Sequence, residues 1–178
     1  MAGDERPRLF CALCLPDETI ERLVGWQARE LRAGGRLVAP GNLHLTLAFL
    51  GSRPAAELPS IAGVLRGAAG HARPVRLRVR GYRETRSVAM LTFDDEGGAA
   101  TALAEDLHGG LEELGVYRRE ARPWLAHVTV LRFRERPRLR PALPELGEVS
   151  PSDAAVFISR LRPGGAEYES VETVALGG

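Results

Sequence analysis

The sequence contains no lysine, and all 24 of its basic residues are arginine. The formal net charge at pH 7 is only +1, but the charge is unevenly distributed. Between Arg118 and Arg140, eight arginines stand against two acidic residues. A planar guanidinium can bind phosphate through two donors, so this basic segment would attract and orient an anionic substrate. For residues 134–140 the alternative is a solvated surface loop in which arginine simply replaces lysine.

Long apolar runs are also absent, since none approaches the ~20 residues that a bilayer-spanning helix needs. The first six residues lack the core of a signal peptide, because Asp4 and Glu5 occupy the place of a basic leader segment. A chain of 178 residues with 44% hydrophobic content is long enough to bury a sizeable core. We therefore expect one monomeric, cytoplasmic domain over residues 1–178 that makes no membrane contact.

Cysteine is scarce, and the two that occur, Cys11 and Cys14, form a C-x-x-C pattern. They lie in an apolar stretch that is typical of a buried strand. Residues three apart in a strand point to opposite faces, so the two sulfurs cannot bond to each other or share a metal ion. No second C-x-x-C or nearby histidine completes a zinc site. We interpret both cysteines as structural and expect no metal and no cofactor.

A tetrapeptide pattern occurs twice, as His44-Leu45-Thr46-Leu47 and as His127-Val128-Thr129-Val130. The chain has only four histidines, so half of them lie in these motifs. In a strand, alternate side chains share a face, which places each histidine beside a threonine on an open face. In the second copy we assign Leu125, Val128 and Val130 to the buried face and Ala126 to the polar face. Two such strands across a cleft would present two acid/base groups and two hydroxyl donors, which suits a phosphate.

Periodicity and turn residues predict an alternation of strands and helices. The first strand leads to Pro16-Asp17, where Asp17 is a candidate N-cap, and the helix that follows ends at Gly34-Gly35. Further strands are predicted at 36–39, 42–50, 74–80, 87–93, 125–133, 154–162 and 167–176. Further helices are predicted at 57–69 and 99–114. His71 and His108 are interpreted as surface residues, and Trp26 as a partly buried helix residue.

The motif strands have one polar face, which argues against a parallel sheet covered on both sides. We predict an α+β fold with two pseudo-symmetric lobes, each an antiparallel sheet backed by helices. The two His-x-Thr strands would line a central cleft between the lobes.

Segments that flank the motifs extend the pattern over most of the chain. They are Arg8-Leu9-Phe10, Leu15-Pro16, Asn42-Leu43, Phe49-Leu50-Gly51, Arg122-Pro123-Trp124, Ser159-Arg160-Leu161 and Gly165-Ala166-Glu167-Tyr168. With these flanks, the sequence resembles the two-histidine phosphoesterases, and among them the RNA 2′,3′-cyclic phosphodiesterase (2′-5′ RNA ligase) family.

The resemblance implies a metal-independent hydrolase that opens 2′,3′-cyclic phosphate ends of RNA to 2′-phosphates, with reversible 2′-5′ ligation as a related activity. It implies that His44 protonates the departing 3′ oxygen and that His127 takes a proton from the attacking water. Thr46 and Thr129 would hydrogen-bond the non-bridging oxygens. Arg132 would contact the phosphate, and Arg122 would support the cleft.

The chain departs from the usual family pattern at Ala48, where lysine is common, at Trp124, where phenylalanine is common, and at Ala126, where proline is common. None of these changes removes a catalytic group. Phe49 and Trp124 could stack on a base, although core packing is the interpretation we favour for both.

Two other functions stay open. The chain could be a catalytically silent module that binds nucleotides or RNA ends. It could also be a phosphodiesterase acting on another cyclic or 2′-5′ linked nucleotide.

Overall fold

The computed structural model describes residues 6–177, which form eight strands and three α-helices together with short 3-10 turns. The strands are β1 (Arg8–Cys14), β2 (Arg36–Leu37), β3 (His44–Ser52), β4 (Leu77–Glu84), β5 (Val88–Asp95), β6 (His127–Arg132), β7 (Asp153–Arg162) and β8 (Gly165–Ala175). The helices are α1 (Asp17–Glu30), α2 (Leu58–Gly70) and α3 (Ala99–Glu113). Residues 1–5, on which the prediction about a signal peptide depends, and residue 178 lie outside the described range.

The strands form two four-stranded sheets, and every pairing within them is antiparallel. The first sheet has the order β3-β1-β7-β8, and the second has the order β2-β6-β5-β4. Helix α2 packs on β7 and β8, while α3 contacts β3 of the first sheet and β5 of the second. The predicted α+β fold with two antiparallel sheets backed by helices is confirmed.

Helix α1 is tied to the second sheet by a buried glutamine. Gln27 Nε2 donates to the carbonyls of Val38 and Val130, at 3.1 and 2.8 Å. Both acceptors belong to the β2–β6 region, and the Val130 carbonyl also accepts from the N–H of Val38. This one buried amide therefore joins α1 to the backbone of both strands. No helix in residues 6–177 is long and apolar enough to cross a membrane.

The cysteines behave as the sequence predicts. Cys11 is fully buried in β1, Cys14 is half-buried at its end, and both are free thiols. Burial raises the pKa of Cys11 to about 12, and burial together with the nearby Asp153 raises the pKa of Cys14 to about 11. Both sulfurs therefore stay protonated at neutral pH, as expected of structural thiols.

Several predicted boundaries were wrong. Helix α1 ends at Glu30, before Gly34-Gly35, and a short 3-10 turn follows it. Asp17 is the first residue of α1, the N-cap is Pro16, and no side chain caps the helix. Strand β4 begins at Leu77 rather than Pro74, and it continues through Gly81 to Glu84, whereas the prediction ended it at Arg80. The pairing of β4 with β5 shifts between Val79 and Gly81, so this glycine marks a bulge and not the end of the strand.

The tryptophan and one histidine of the helices are more buried than predicted. Trp26 is only 2% exposed, and its indole donates to the carbonyl of Ala142. His108, predicted at the surface, is 6% exposed. Its Nε2 lies 2.7 Å from the carbonyl oxygen of Leu47 in β3, and its ring packs on Tyr117. The reason is that β3 is an edge strand, whose outer carbonyls need donors from elsewhere in the molecule.

Replacing His108 with alanine is expected to lower the free energy of unfolding by about 1–3 kcal/mol, because the buried Leu47 carbonyl loses its donor. His71→Ala is the matched control, since His71 is exposed and hydrogen-bonds only within its own helix, to Gly67. Urea denaturation of both variants measures the difference. A His108→Ala protein as stable as the His71→Ala protein would contradict the structural role assigned to this hydrogen bond.

Candidate active site

The two motif strands lie side by side in the molecule. Strands β3 and β6 contact each other, although they belong to different sheets and share no ladder hydrogen bonds. His44 and His127 are each the first residue of their strand. Positive charge on His127 and on Arg132 lowers the pKa of His44, which shows that all three side chains share one electrostatic environment. The structure thus brings together the histidines that the sequence singled out.

A bulge in β3 decides which of its side chains face the cleft. Thr46 lies opposite Ala12, but Ala48 lies opposite Cys11, so Leu47 is an extra residue in the pairing. Beyond this bulge the alternation changes phase. Ala48 is buried, and Phe49 moves to the open face with 57% of its surface exposed. The interpretation of Phe49 as a core residue was wrong for this reason.

Strand β6 contains the same irregularity at the same place. Thr129 pairs with Met90 and Leu131 pairs with Ala89, so Val130 is the extra residue. Leu131 is buried, and Arg132, five positions after the histidine, is exposed. Over six residues the two strands have the same burial pattern, so Arg132 is the pseudo-symmetric counterpart of Phe49.

The histidine rings are oriented by backbone groups. His127 Nδ1 lies 2.9 Å from the carbonyl oxygen of Leu125, two residues earlier. A carbonyl accepts hydrogen bonds only, so Nδ1 carries a proton and Nε2 of the neutral ring is an acceptor. His44 likewise hydrogen-bonds the backbone of Asn42, also two residues earlier, and its Nε2 lies 3.0 Å from Oγ1 of Thr46.

The surroundings of His44 are aromatic. Its ring stacks on Phe10 at a centroid distance of 4.8 Å and on Phe157 at 5.9 Å, and it meets Tyr168 edge-on at 5.2 Å. Burial lowers the pKa of His44 to about 4, and repulsion from Arg132, and from His127 when that ring is protonated, acts in the same direction. The hydrogen bond to Asn42 opposes this shift without cancelling it. The protein's own groups therefore keep His44 neutral at pH 7.

Thr46 and Thr129 are half-buried on the same faces as the histidines. Arg122 has a different setting from the other predicted site residues. It lies in an exposed loop, and its guanidinium pairs with Glu120 while 78% of the side chain stays exposed. Its described contacts include none with a motif histidine or threonine, and its supporting role in the cleft stays a prediction.

Ala126, the residue directly before the second motif, lies on the buried face of the strand. Ala126 is 4% exposed and belongs with Val128 and Val130 on the buried face, whereas Leu125 is half-buried. The assignment of Ala126 to the polar face was therefore wrong. Strict alternation from Val128 gives the observed side, since 126, 128 and 130 share one face of the strand.

Trp124 links the loop before β6 to the edge of β3. Its ring is half-buried against the hydrophobic core, and its Nε1 donates to the carbonyl of Thr46 at 3.0 Å. With His108 on the next carbonyl, at Leu47, side chains from outside the first sheet provide donors for two consecutive oxygens of the first motif strand. This holds the backbone of β3 in place beside β6.

Sequence reasoning missed two residues that fasten the hairpin of β7 and β8 beside the site. Arg36 Nη1 donates to the carbonyl of Gly164 at 3.1 Å, and Asn42 Nδ2 donates to that of Ala166 at 2.7 Å. Gly165 has a φ of +123°, and a Cβ there would lie 2.8 Å from Arg36 Nη1. A glycine is therefore needed for this approach. The position of Asn42 directly before the motif, next to a turn, was the available signal.

Comparison with known proteins places these features in a family. Residues 15–162 match the model of the 2′-5′ RNA ligase superfamily. The chain belongs to this superfamily. Among curated relatives, it is 36% identical to an RNA 2′,3′-cyclic phosphodiesterase of Thermus thermophilus, in an alignment covering 96% of this chain and 91% of the relative. It is 27% identical to a protein of the same name from Aquifex aeolicus, covering 84% and 86%.

Solved structures of similar proteins agree with this membership in the 2′-5′ RNA ligase superfamily. A crystal structure of a Thermus thermophilus protein matches with a TM-score of 0.83 and 35% identity, covering 96% of this chain and 98% of that one. Escherichia coli LigT complexed with 3′-AMP matches with a TM-score of 0.79 and 25% identity, covering 98% and 99%. The family resemblance drawn from the two motifs and their flanks is confirmed.

The depressed pKa of His44 predicts a specific pH dependence of stability. Its folded value of about 4 lies below the ~6.5 of an imidazole in an unfolded chain. Between these values the unfolded state binds more protons, so the free energy of unfolding falls as the pH drops from 6.5 towards 4. His44→Gln should remove this contribution, which amounts to at most about 3 kcal/mol. Urea midpoints at pH 7 and pH 4.5 measure it.

The exposed His71 provides the control, since His71→Gln should leave the pH dependence of the wild type unchanged. An NMR titration of the imidazole signals checks the pKa directly. A His44 signal that titrates near 6.5 would contradict the argument from burial.

Proposed function

We propose that this protein hydrolyses 2′,3′-cyclic phosphate ends of RNA to 2′-phosphates. Water attacks the phosphorus, the bond from phosphorus to O3′ breaks, and O3′ leaves as a hydroxyl. The observation that carries the proposal is the pair of His-x-Thr strands, which sets two oriented imidazoles and two hydroxyls together. The names of the curated relatives support the same activity.

His127 is suited to act as the general base. Its Nδ1 proton is engaged by the Leu125 carbonyl, which leaves Nε2 to accept a proton from the attacking water. The backbone hydrogen bond also stabilises the imidazolium that forms, in the way a carboxylate does in other acid/base pairs.

His44 would then be the general acid that protonates O3′. Its pKa of about 4 in the protein alone favours the neutral form, which is the wrong form for an acid. A bound phosphodiester adds a negative charge beside the ring, and this raises the imidazole pKa towards the working range. Substrate binding and protonation of His44 are therefore coupled, and each favours the other.

The remaining cleft residues stabilise charge on the phosphate. Thr46 and Thr129 would donate to the non-bridging oxygens, and Arg132 adds a full positive charge from the pseudo-symmetric position of Phe49. Arg122 would act from its loop as a further support. None of these steps needs a metal or a cofactor.

Phe49 supplies an apolar face for a nucleobase. It is 57% exposed, lies on the same face as His44, and is backed by Phe10 at a centroid distance of 5.5 Å. Base stacking on such a ring contributes about 1–3 kcal/mol and tolerates different sequences. The solved complexes of E. coli LigT include one with 3′-AMP and one with ATP. The nucleotide next to the cyclic phosphate would stack here.

Reversal of the same chemistry would join RNA ends through a 2′-5′ bond, with the acid and base roles exchanged. We further propose a monomer that acts in the cytoplasm. Both of these statements stay predictions from the sequence.

The decisive assay is incubation of the protein, with EDTA present, with an oligoribonucleotide ending in a 2′,3′-cyclic phosphate. A 2′-phosphate product is expected, identified by mass and chromatography. His44→Ala and His127→Ala should each lower kcat by at least about 100-fold, because each removes a proton-transfer group. His71→Ala should keep full activity. A variant lacking either motif histidine that works at the full rate would contradict the mechanism.

The separate roles can be assigned with a substrate in which sulfur replaces the bridging O3′. A thiolate leaves without protonation, so loss of the general acid costs little with this substrate. We expect the thio substrate to restore His44→Ala to within about tenfold of the wild type and not to restore His127→Ala. Restoration of His127→Ala instead would exchange the two roles.

Arg132→Gln should lower kcat/KM by about 10- to 100-fold, the equivalent of one charge-assisted hydrogen bond of about 1.5–3 kcal/mol. Arg66→Gln is the control, because it removes the same charge from a side chain that pairs with Glu172 on the helix side of the first sheet. Equal activity of the two variants would contradict phosphate binding by Arg132.

A further inference from the structure

A group of arginines on the described surface lacks acidic partners where the edge of β4, the turn to β5 and the loop after β6 meet. On much of the described surface the arginines face carboxylates, as Arg76 and Arg78 face Glu96 and Glu148. Within residues 6–177, no side-chain hydrogen bond or ion pair is found for a group on β4, on the turn to β5 and on the loop after β6. This group consists of Arg83, Arg86, Arg134, Arg138 and Arg140. The surface here has positive charge that the protein leaves uncompensated.

A buried carboxylate fixes the shape of this loop. The Glu84 side chain is only 2% exposed. It accepts hydrogen bonds from the backbone N–H groups of Arg138 and Leu139, at 2.9 and 2.7 Å. It also accepts from Arg136 Nε at 3.2 Å and from the Tyr82 hydroxyl at 2.9 Å. Three donors of the loop therefore bind one carboxylate of β4, the Tyr82 hydroxyl of β4 adds a fourth hydrogen bond to it, and the loop's arginines project from a defined backbone.

The backbone of this loop is also strained. Arg138 has a φ of +56°, the left-handed region that a non-glycine residue adopts at a cost. Such conformations persist where neighbouring contacts fix them, and here the N–H of Arg138 bonds to Glu84. The strain is confined to the residue that presents one of the unpaired guanidiniums.

The loop and β4 enclose a groove of about 420 Å³. Arg83, Arg136, Arg138 and Arg140 line it, and Glu84, which already accepts from Arg136, is the one acidic side chain in its wall. Guanidinium forks match the geometry of phosphate oxygens. Several forks along one groove fit an anion whose charges are spaced along a chain.

The register of the second sheet connects this groove to the histidines. Arg83 pairs with Met90, and Met90 pairs with Thr129, so the three side chains form one row on the open face. Two strand spacings separate Arg83 from Thr129, a distance of about 10 Å. Arg83 thus belongs both to the open face that carries the reaction site and to the groove at the edge of the sheet.

We propose that this groove binds the sugar–phosphate backbone of a single-stranded RNA, on the 5′ side of the terminal cyclic phosphate. The proposal rests on the proposed function. It adds that an RNA chain is a better substrate than a cyclic mononucleotide. From the terminal phosphate at the histidines, the RNA would run across Met90 and over the edge of β4, where its phosphates would contact Arg83, Arg138 and Arg140. These arginines bind the substrate without touching the reacting atoms.

The test compares a decaribonucleotide ending in a 2′,3′-cyclic phosphate with a 2′,3′-cyclic mononucleotide. In the triple variant Arg83→Gln, Arg138→Gln and Arg140→Gln, KM for the decamer should rise about tenfold or more while its kcat stays unchanged. The mononucleotide should keep its kcat/KM to within about twofold. The slope of log(kcat/KM) for the decamer against log[salt] should become shallower by about 2, since each single-strand phosphate contact contributes about 0.7.

A second triple variant with the same loss of charge serves as the control: Arg66→Gln, Arg73→Gln and Arg76→Gln. These side chains already have partners in the protein, namely Glu172, the carbonyl of Gly97, and the pair Glu96 and Glu148. The proposal is overturned if this control raises KM for the decamer as much as the groove variant does. It is also overturned if the groove variant affects both substrates equally or neither.

Equilibrium binding separates this proposal from the proposed function. Fluorescence anisotropy of a labelled decamer ending in a 3′-phosphate needs no turnover. A wild-type protein that hydrolyses no cyclic phosphate but binds the decamer more tightly than the groove variant supports the groove and overturns the activity. If the wild-type protein hydrolyses the cyclic phosphate and the groove variant binds the decamer as tightly as the wild type does, the activity is supported and the groove is overturned. Heparin that binds as tightly as the decamer, with no gain in kcat/KM from RNA length, overturns the groove as an RNA site.

Discussion

The extra residue in each motif strand is the constraint on which the site depends. Without the bulge at Leu47, alternation would place Ala48 on the open face and Phe49 in the core. Without the bulge at Val130, alternation would turn Arg132 inward, and burying an unpaired guanidinium costs several kcal/mol. Because of its bulge, each motif strand places a histidine, a threonine and, three residues after the threonine, a larger side chain on the same open face.

A bulge interrupts a ladder, so the interrupted backbone must find other partners. In β3 the carbonyl of the extra residue, Leu47, accepts from His108, and the preceding carbonyl accepts from Trp124. These donors come from α3 and from the loop before β6, and each reaches across to the first sheet. The groups that satisfy the irregular edge of β3 are thus the same groups that hold the two motif strands together. Stability and site geometry share these hydrogen bonds.

The scaffold is nearly symmetric, but its electrostatics are not. Both histidines hydrogen-bond a backbone group two residues earlier, and both precede a threonine. Only His44 stacks in an aromatic cluster, and burial there lowers its pKa to about 4. Acid/base catalysis needs one proton donor and one acceptor, so two identical environments would be of little use. The aromatic residues of the first sheet therefore make the surroundings of His44 different from those of His127, although the two sequence motifs are alike.

Alternation along the chain was enough to predict most of the strands and the open face that each motif histidine shares with a threonine, because both depend on local periodicity. The single polar face of the motif strands predicted antiparallel sheets. It failed for Phe49, since a bulge leaves no mark in the pattern of apolar residues. It also failed for His108 and for the order imposed on residues 136–139, whose partners, Leu47 and Glu84, lie more than 50 residues away in sequence. Contacts of that separation are set by how the sheets meet and not by any local motif. The fold also decides which arginines have acidic partners. The net charge of +1 therefore does not show where an anion would bind. Arg66 on α2 pairs with Glu172, whereas no acidic partner is found within residues 6–177 for Arg132 or for the arginine group at the edge of β4 and in the loop after β6. Because the chain has no lysine, its permanently charged cationic side chains are all guanidiniums. A planar guanidinium binds phosphate through two donors only when it is held in the right orientation, so a rigid backbone favours binding. Glu84 gives that support by ordering the loop from beneath, and so one buried carboxylate serves a surface that attracts anions.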